Sequence, residues 1–394
     1  MSLIGQNVTI LGAGVAGLTL ARALALRGAQ VMVLEQADAV REVGAGLQVS
    51  PNGAVVLRAL GLGDALAACS TRAHAVELRD GLSVDLVTRL DVAGTRPDDA
   101  YHFLHRADLI ALLLDGARDA GVEVRLLQRI ETVDLSGPRP AWRNAQGATG
   151  DASLLIGADG LHSQVRAAMN GAASPFFTQQ VAWRALIPET PGAPDVAEVH
   201  MAPGRHLVSY PLRGGTWRNI VAVEERRAWV EEGWTLRDDT MDMKLAFAGF
   251  SPRVRGWLDQ VEDVWLWGLF RHPVAERWFA VQDKGAAVIL GDAAHPTLPF
   301  LAQGACMALE DAWVLAECLA GHDTLASGLS AYQMARRPRC SKIVAAANTN
   351  ARLYHLSGAA RAIAHLGLKF GSVVAPSAAL KRFDWLYRHD VTGR

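Results

Sequence analysis

A short apolar run that ends in Gly12-x-Gly14-x-x-Gly17 opens the chain, and it restricts the possible folds more than any other segment. Asn7–Leu11 is an apolar β run that stops at Gly12. Ala16–Arg27 continues as a helical segment closed by Gly28, and Gln30–Glu35 is a second apolar run. Strand, turn, helix and strand in this order make a βαβ unit, whose parallel strands are buried on both faces and so read as continuous apolar stretches. Each glycine has a separate reason. Gly12 permits the tight turn, Gly14 lets a pyrophosphate approach the backbone, and Gly17 lets the helix lie close to the strand. The helix starts at Ala16, and its first N–H groups and positive dipole end suit phosphates. Glu35 closes the second strand, where an acid bonds ribose hydroxyls. This unit alone does not separate FAD from NAD. Three glycines and Arg22 interrupt the apolar run from Val8 to Leu26, and no basic segment precedes it. It therefore reads as this buried unit and not as a signal peptide or membrane anchor.

Two more strand ends carry the same kind of signal. Ser153–Ala158 is a buried apolar strand that runs into Asp159-Gly160-Leu161-His162-Ser163. Ala286–Leu290 is another, followed by Gly291-Asp292-Ala293-Ala294-His295-Pro296. An acid at the carboxyl end of a strand stands where open α/β sheets hold ligands. Asp292 is placed to accept from ribityl or ribose hydroxyls. Asp159 is placed to hold its turn and orient a nucleotide, or to form the turn alone.

Between these segments the pattern changes. Ala75–Leu90 alternates around Asp80-Gly81, a hairpin signal. Val181–Ile187, Val196–Met201, His206–Leu212 and Asn219–Glu224 read as strands separated by Gly and Pro clusters. Helices are predicted over Leu109–Ala120 and from about Gly304 to Leu319, with helices filling the remainder. The fold class is thus α/β, or α+β as a whole. A nucleotide-binding domain is assembled from residues 1–72, 101–172 and 281–345, a mainly antiparallel β-sheet domain is inserted as 73–100 and 173–280, and a helical region covers 346–394. The 39 basic and 40 acidic residues leave no basic field for a nucleic acid. None of the four cysteines forms a C-x-x-C pair, so they read as free thiols in a reducing, cytoplasmic setting, and no metal site is expected. The apolar stretch Gly358–Pro376 carries Arg361, His365 and Lys369, which favours a packed or surface amphipathic helix over a membrane span.

Taken together, Gly12–Gly17, Asp159-Gly160 and Gly291-Asp292 resemble the three motifs of the single-component FAD-dependent aromatic hydroxylases. Further matches are Gly44–Gln48 with Pro51-Asn52, His105–Leu109, Glu310-Asp311-Ala312, Arg336–Arg339 and Tyr354–Gly358. The later ones look most like the salicylate, 3-hydroxybenzoate and 6-hydroxynicotinate hydroxylase branch. The resemblance implies a Rossmann-like FAD-binding domain with a β-sheet substrate domain. It implies FAD as cofactor, NADH or NADPH as a transient co-substrate, and O2 reacting through a flavin C4a-hydroperoxide to hydroxylate a small aromatic substrate. A monomer or homodimer is expected. It also implies that Gln48 and Arg106 contact the flavin, that Arg41 is among the cofactor-binding residues, and that Gln303, Gly304 and Ala305 begin a helix aimed at the flavin.

The residues name possible catalytic groups without settling a base. His206 and Tyr210 lie four apart on one strand, so they share a face. Some relatives carry a histidine just before the Tyr-Pro pair, where this chain has Ser209. His295 follows the Gly-Asp turn, as a catalytic group or as a loop-capping hydrogen-bonder. Pro299 lies in the run Pro296, Leu298, Pro299, Phe300 and Leu301, which reads as an apolar wall against water. Arg184 reads as a sheet-surface residue or as a contact for a carboxylate. Two other readings stay open on the sequence: a reductase or oxidase on the same fold, and a nucleotide-binding protein without chemistry.

Overall fold

The structure is a computed structural model that describes residues 2–40, 45–95, 100–172, 174–190, 192–233, 236–374 and 378–393. Its first sheet has six strands in the order Phe279–Gln282, Gly285–Ile289, Leu154–Gly157, Asn7–Leu11, Gln30–Leu34 and Glu123–Arg125. All neighbours are parallel except the edge pair formed by Phe279–Gln282. The register aligns Leu11 with Gly157, and Gly157 with Ile289. Three strands far apart in sequence therefore end level, side by side. With strands spaced about 4.8 Å apart, their glycine turns fall within roughly 10 Å of one another. The helix Val15–Ala25 returns over the sheet and buries Leu18, Leu20, Ala21, Ala23 and Leu24.

The second sheet has seven strands in the order Trp265–Arg271, Phe176–Pro188, Trp217–Glu225, Arg205–Leu212, Val196–Ala202, Ala75–Asp80 and Leu86–Asp91. It is antiparallel apart from the parallel pair Val196–Ala202 with Ala75–Asp80. One face carries Val181, Trp183, Ala185, Leu207 and Ala222. It packs under Met243, Phe247, Val254 and Leu258 from the helices Thr240–Ala246 and Pro252–Leu258. The other face carries Ala182, Val223 and Trp267, and it meets Leu298, Phe300 and Ala351. Burial on both faces explains why Phe176–Pro188 shows little alternation in the sequence.

The expected strands are present, with ends moved by a few residues. The expected boundary between residues 280 and 281 falls inside Phe279–Gln282, a strand that belongs to the six-stranded sheet. The strand Trp265–Arg271 and the small sheets Gly46–Val49 with His102–His105 and Thr71–Arg72, and Ile130–Asp134 with Ala141–Asn144 and Thr149–Asp151, were not anticipated. Runs such as His102-Phe-Leu-His105 are too short to show a period.

Two long helices follow the Gly-Asp turn, Gly304–Gly321 and Leu325–Tyr354. The helix Gly358–Val374 then lies along the edge of the second sheet. Arg361 and His365 pair with Asp80, Lys369 lies 3.5 Å from Asp85, and Ile363, Leu366 and Phe370 face outward. Among the described residues, no helix is long and apolar enough to cross a membrane.

Candidate active site

The three level strand ends open into one cleft of about 1160 Å³. That exceeds the roughly 300–1,000 Å³ of an ordinary small-ligand pocket and suits an elongated dinucleotide. Gly12, Gly14, Glu35, Arg106, Asp159, Gly160, Asp292 and Pro299 all line it. Sequence positions spread over almost 300 residues thus share a single cavity.

The glycine loop shows why its residue types are needed. Gly12 has φ +100°, and a side chain there would collide with the Ala158 carbonyl. A methyl group at Gly17 would collide with the Gly12 carbonyl oxygen, so the helix can approach only without it. Nothing lies within 4 Å of the space a Gly14 side chain would take. Gly14 is also the N-cap of Val15–Ala25 and offers no side chain to cap it. The first helical N–H groups therefore remain available to an anion. Ala16 sits beneath, where a side chain on Gly291 would approach its Cβ to 3.0 Å.

Glu35 braces the glycine loop. Its Oε2 accepts from the Ala13 N–H at 2.7 Å and its Oε1 from the Ala37 N–H at 2.9 Å. The carboxylate thereby ties the end of the second strand to the glycine loop. Asp159 accepts from the Gln164 N–H at 2.8 Å, and burial raises its carboxyl above the usual range. It holds its own turn and contributes to the cleft wall. Asp292 is exposed at the cleft. Arg41 lies outside the described residues.

Other motif residues meet underneath the cleft. Asp311, fully buried, accepts from the Gly291 N–H at 3.0 Å and bonds His295 Nε2 at 2.5 Å through Oδ2, and Arg336 Nε at 2.7 Å through Oδ1. Arg336 and Arg339 both grip Glu310, at 2.6 and 2.8 Å. Asn52 donates to Glu310 at 2.7 Å and to the Gln303 side chain at 3.1 Å, and Gln303 donates to Ser50 at 2.9 Å. The facing cations hold Asp311 down to about 2, and Asp311 holds His295 well above its ordinary value. This chain of buried polar groups fixes the Gly-Asp turn, the start of Gly304–Gly321 and the loop after Gly46–Val49 relative to one another. His295 is thus sealed below the cleft and positions the turn. Gln303 sends its side chain into the same network. Gly304 and Ala305 are partly exposed at the start of a helix that has no side-chain cap, and Gly304 neighbours Thr297, a cleft residue.

The pattern that defines the FAD binding domain family matches residues 6–347. The chain is 31% identical over 393 residues to 3-hydroxybenzoate 6-hydroxylase of Klebsiella oxytoca, covering 97% of this chain and 96% of the relative. It is 35% identical over 368 residues to 3-amino-4-hydroxybenzoate 2-monooxygenase of Streptomyces cremeus, covering 89% and 88%. The chain belongs to the FAD-dependent aromatic hydroxylase family. A salicylate hydroxylase in complex with substrate shares the fold, with a TM-score of 0.80, 24% identity and 98% and 96% of the two chains covered. Klebsiella pneumoniae HpxO, complexed with FAD and uric acid, does so with a TM-score of 0.81, 23% identity and 94% of each chain covered. Membership favours neither the reductase or oxidase reading nor the purely nucleotide-binding one. The cleft fits the family's cofactor: open space over Gly14, an uncapped helix start, and acids after three strand ends.

In this hydroxylase the inner face of the seven-stranded sheet closes the far end of the cleft. Arg184 lines it, with its guanidinium 4.3 Å from the Trp267 ring centre. Arg184, Val221 and Val208 stand in register across three strands and all three keep partial exposure, although of the three only Arg184 lines the cleft. The rows on either side are closed by buried His206 and Tyr210. The two do share a face, as their spacing requires, but they flank this row and do not line the main cleft. His206 packs against Phe300 and Tyr354, and Tyr210 against Phe103. Burial pushes the Tyr210 hydroxyl far up and the His206 ring well down. Ser209 points to the opposite face, where Arg218 donates to it at 2.5 Å. A histidine at 209 would point away from this row, so 206 is the position that faces it. Gln48 is buried and accepts from the Tyr101 hydroxyl at 2.6 Å. Of the expected apolar wall, Pro296, Leu298 and Pro299 line the cleft, while Phe300 and Leu301 are buried. Sequence reasoning missed Trp267, which lies on the unrecognised strand Trp265–Arg271. It also missed His355, which carries no signal beyond its motif match.

Proposed function

We propose that this enzyme hydroxylates a small aromatic carboxylate bearing a ring hydroxyl, or the corresponding hydroxypyridine acid, with O2 and NADH or NADPH. One oxygen atom enters the ring and the other leaves as water. The observation that carries the substrate class is Arg184, a cation on the cleft wall that begins the partly open row Arg184–Val221–Val208. A planar ring laid on Val208 and Val221 would point a carboxylate at Arg184, whose guanidinium suits bidentate binding. The relatives support this reading, since 3-hydroxybenzoate, 3-amino-4-hydroxybenzoate and 6-hydroxynicotinate are all ring carboxylates.

The dinucleotide would be held by Gly12, Gly14 and the start of Val15–Ala25 at its pyrophosphate, by Glu35 at the adenosine ribose and by Asp292 at the ribityl chain. Arg106 and the Gly304–Ala305 helix start are assigned to its ring end. Bound FAD supplies the redox and oxygen-activating chemistry. The chain positions the substrate and keeps water away from the reacting ring with Pro296, Leu298, Pro299 and Trp267. His206 flanks the substrate row as the group that accepts the ring hydroxyl proton, which enriches the ring in electrons. Tyr210 flanks it from the other side.

The test is a panel of hydroxybenzoates, aminohydroxybenzoates and hydroxynicotinates, with and without their carboxylates. A ring carboxylate should stimulate NAD(P)H oxidation, and label from oxygen-18 gas should enter the product. If only uncharged phenols stimulate, the role of Arg184 is refuted. If no label enters any product, the monooxygenase reading is refuted.

A further inference from the structure

His206 does not stand alone. Its Nδ1 lies 2.7 Å from Nε2 of His355. Nδ1 of His355 lies 2.9 Å from Oε1 of Glu225. The three side chains pass from full burial to solvent: His206 and His355 are enclosed, while the Glu225 side chain is 55% exposed. Two backbone bonds clamp the line in place. The Gly204 N–H donates to the His355 carbonyl at 3.1 Å, and the Glu225 N–H donates to the Gly204 carbonyl at 2.9 Å. His355 is also the C-cap residue of Leu325–Tyr354, so its position is set by a 30-residue helix.

We propose that Glu225 and His355 are positioning residues that leave His206 Nε2 as the proton acceptor and lead its proton to solvent. The proposal rests on the reading of His206 as the group beside the substrate ring. The reasoning starts at the exposed end. An ionised carboxylate only accepts, so the hydrogen on the His355 ring resides on Nδ1. Its Nε2 is then an acceptor. His206 must meet that acceptor with a hydrogen on Nδ1, which leaves its Nε2 with a bare lone pair. Nε2 has no hydrogen-bond partner among the described residues. A carboxylate two residues removed from the substrate row thus selects the tautomer in which His206 can act as a base.

The same line moves the proton onward. Nε2 takes the proton of the ring hydroxyl. Nδ1 of His206 gives its own proton to Nε2 of His355, and Nδ1 of His355 gives its proton to Glu225 and from there to water. Return of one proton along the line, when the hydroxylated product is released as a phenol, restores both tautomers. The groups that face this line are few. Glu225 comes from Trp217–Glu225, Tyr354 and His355 from the long helix, and the neutral Gln180 from Phe176–Pro188 at 3.4 Å from His355 Nδ1. Phe300 closes the remaining side. The Tyr354 hydroxyl is pushed up to about 12 by burial and does not compete. Burial holds both imidazoles below their ordinary 6.5, against the pull of Glu225 on His355, so both are neutral near pH 7.

The test uses the FAD-loaded enzyme and two probes. The first is 5-hydroxy-2-nitrobenzoate, whose phenolate absorbance reports ionisation of the bound hydroxyl without turnover. The second is whichever ring carboxylate stimulates NAD(P)H oxidation most. Glu225→Leu and His355→Leu should each raise the pH at which the bound probe ionises by about one pH unit. Each should lower kcat about tenfold or more, with KM within about twofold. Glu225→Asp should recover part of the loss, and added formate should rescue Glu225→Ala, because the site opens to solvent. FAD content and thermal midpoint of the Glu225 variants should match the unmodified enzyme. Because Glu225 is exposed, its variants decide the matter even if His355→Leu fails to fold. His206→Asn separates the two levels of the reading. If it impairs probe ionisation and kcat while Glu225→Leu leaves both unchanged, the line through His355 is overturned and His206 stands as base. If His206→Asn also leaves both unchanged, the assignment of His206 falls and the proposal falls with it.

Discussion

Asp311→Asn probes whether the buried network beneath the cleft supports cofactor binding from a distance. The carboxylate touches no cleft space. It meets Gly291 N–H, His295 Nε2 and Arg336 Nε with its two oxygens. Asparagine keeps the shape but loses the charge, and its single carbonyl oxygen cannot serve three donors. Removing one partner of a buried ion pair costs about 3–5 kcal/mol. The depressed carboxyl supplies a second gauge. A fall from the ordinary 3.8 to about 2 corresponds to about 2 kcal/mol. The two figures describe one coupled interaction and are not summed. The expected loss is therefore about 2–4 kcal/mol in urea denaturation near pH 6. The sign of the pH dependence follows from both partners. Asp311 is depressed when folded, so its contribution is present above 3.8 and fades as pH falls toward about 2. His295 is raised, so its contribution is full below 6.5 and fades only as pH climbs through its raised value. The gap between the unmodified enzyme and the variant should be widest between about pH 4 and 6.5. Loss of the bond to Gly291 should also free the Gly-Asp turn and weaken FAD about tenfold, the equivalent of one charged hydrogen bond of roughly 1.4 kcal/mol. Fluorescence titration of the stripped protein with FAD measures this. Stability within about 0.5 kcal/mol of the unmodified enzyme together with unchanged FAD affinity would show that the network does not brace the turn.

Further substitutions address the cleft itself. Glu35→Ala should weaken FAD by about 1–3 kcal/mol, since it removes a ribose acceptor and the brace on Ala13, and equilibrium binding would reveal equal affinity if the acid points elsewhere. Asp292→Ala should weaken FAD while the unfolding midpoint of the stripped protein stays the same; a matching drop in that midpoint would make Asp292 a folding residue instead. Gly17→Ala should cost at least about 1–3 kcal/mol through overpacking against Gly12, seen as loss of yellow, FAD-retaining protein on purification. Arg184→Ala should raise KM for a ring carboxylate at least about tenfold and leave FAD affinity unchanged; equal KM would remove Arg184 from the substrate site.

The parts legible in the sequence were those with a local cause. Gly12, Gly14 and Gly17 announced the first turn because backbone approach and positive φ exclude side chains, and the cleft forms over that turn. The ends of Leu154–Gly157 and Gly285–Ile289 were equally plain, because buried parallel strands leave uninterrupted apolar runs. The small sheets and Trp265–Arg271 were not legible, since their strands take meaning only from neighbours distant in the chain. The sheet face that carries Arg184 was half legible. Spacing put His206 and Tyr210 on one face, but no spacing rule could show that Val208 between them stays partly open while both are covered.

Glu310, Asp311, Arg336 and Arg339 mark the boundary most clearly. In the sequence they are motif fragments on two successive helices, with Asp311 and Arg336 25 positions apart. In the fold they form a single buried ionic brace, because two helices packed side by side must pair every charge they enclose. Local backbone chemistry thus determined a dinucleotide fold from the sequence alone: which turns need glycine, where strands end, and where an acid can meet a sugar. Which histidine is sealed beneath the turn, and which one packs beside the row Arg184–Val221–Val208, were decided by packing across hundreds of residues. Burial and hydrogen-bond partners are properties of the assembled neighbours and not of any one segment.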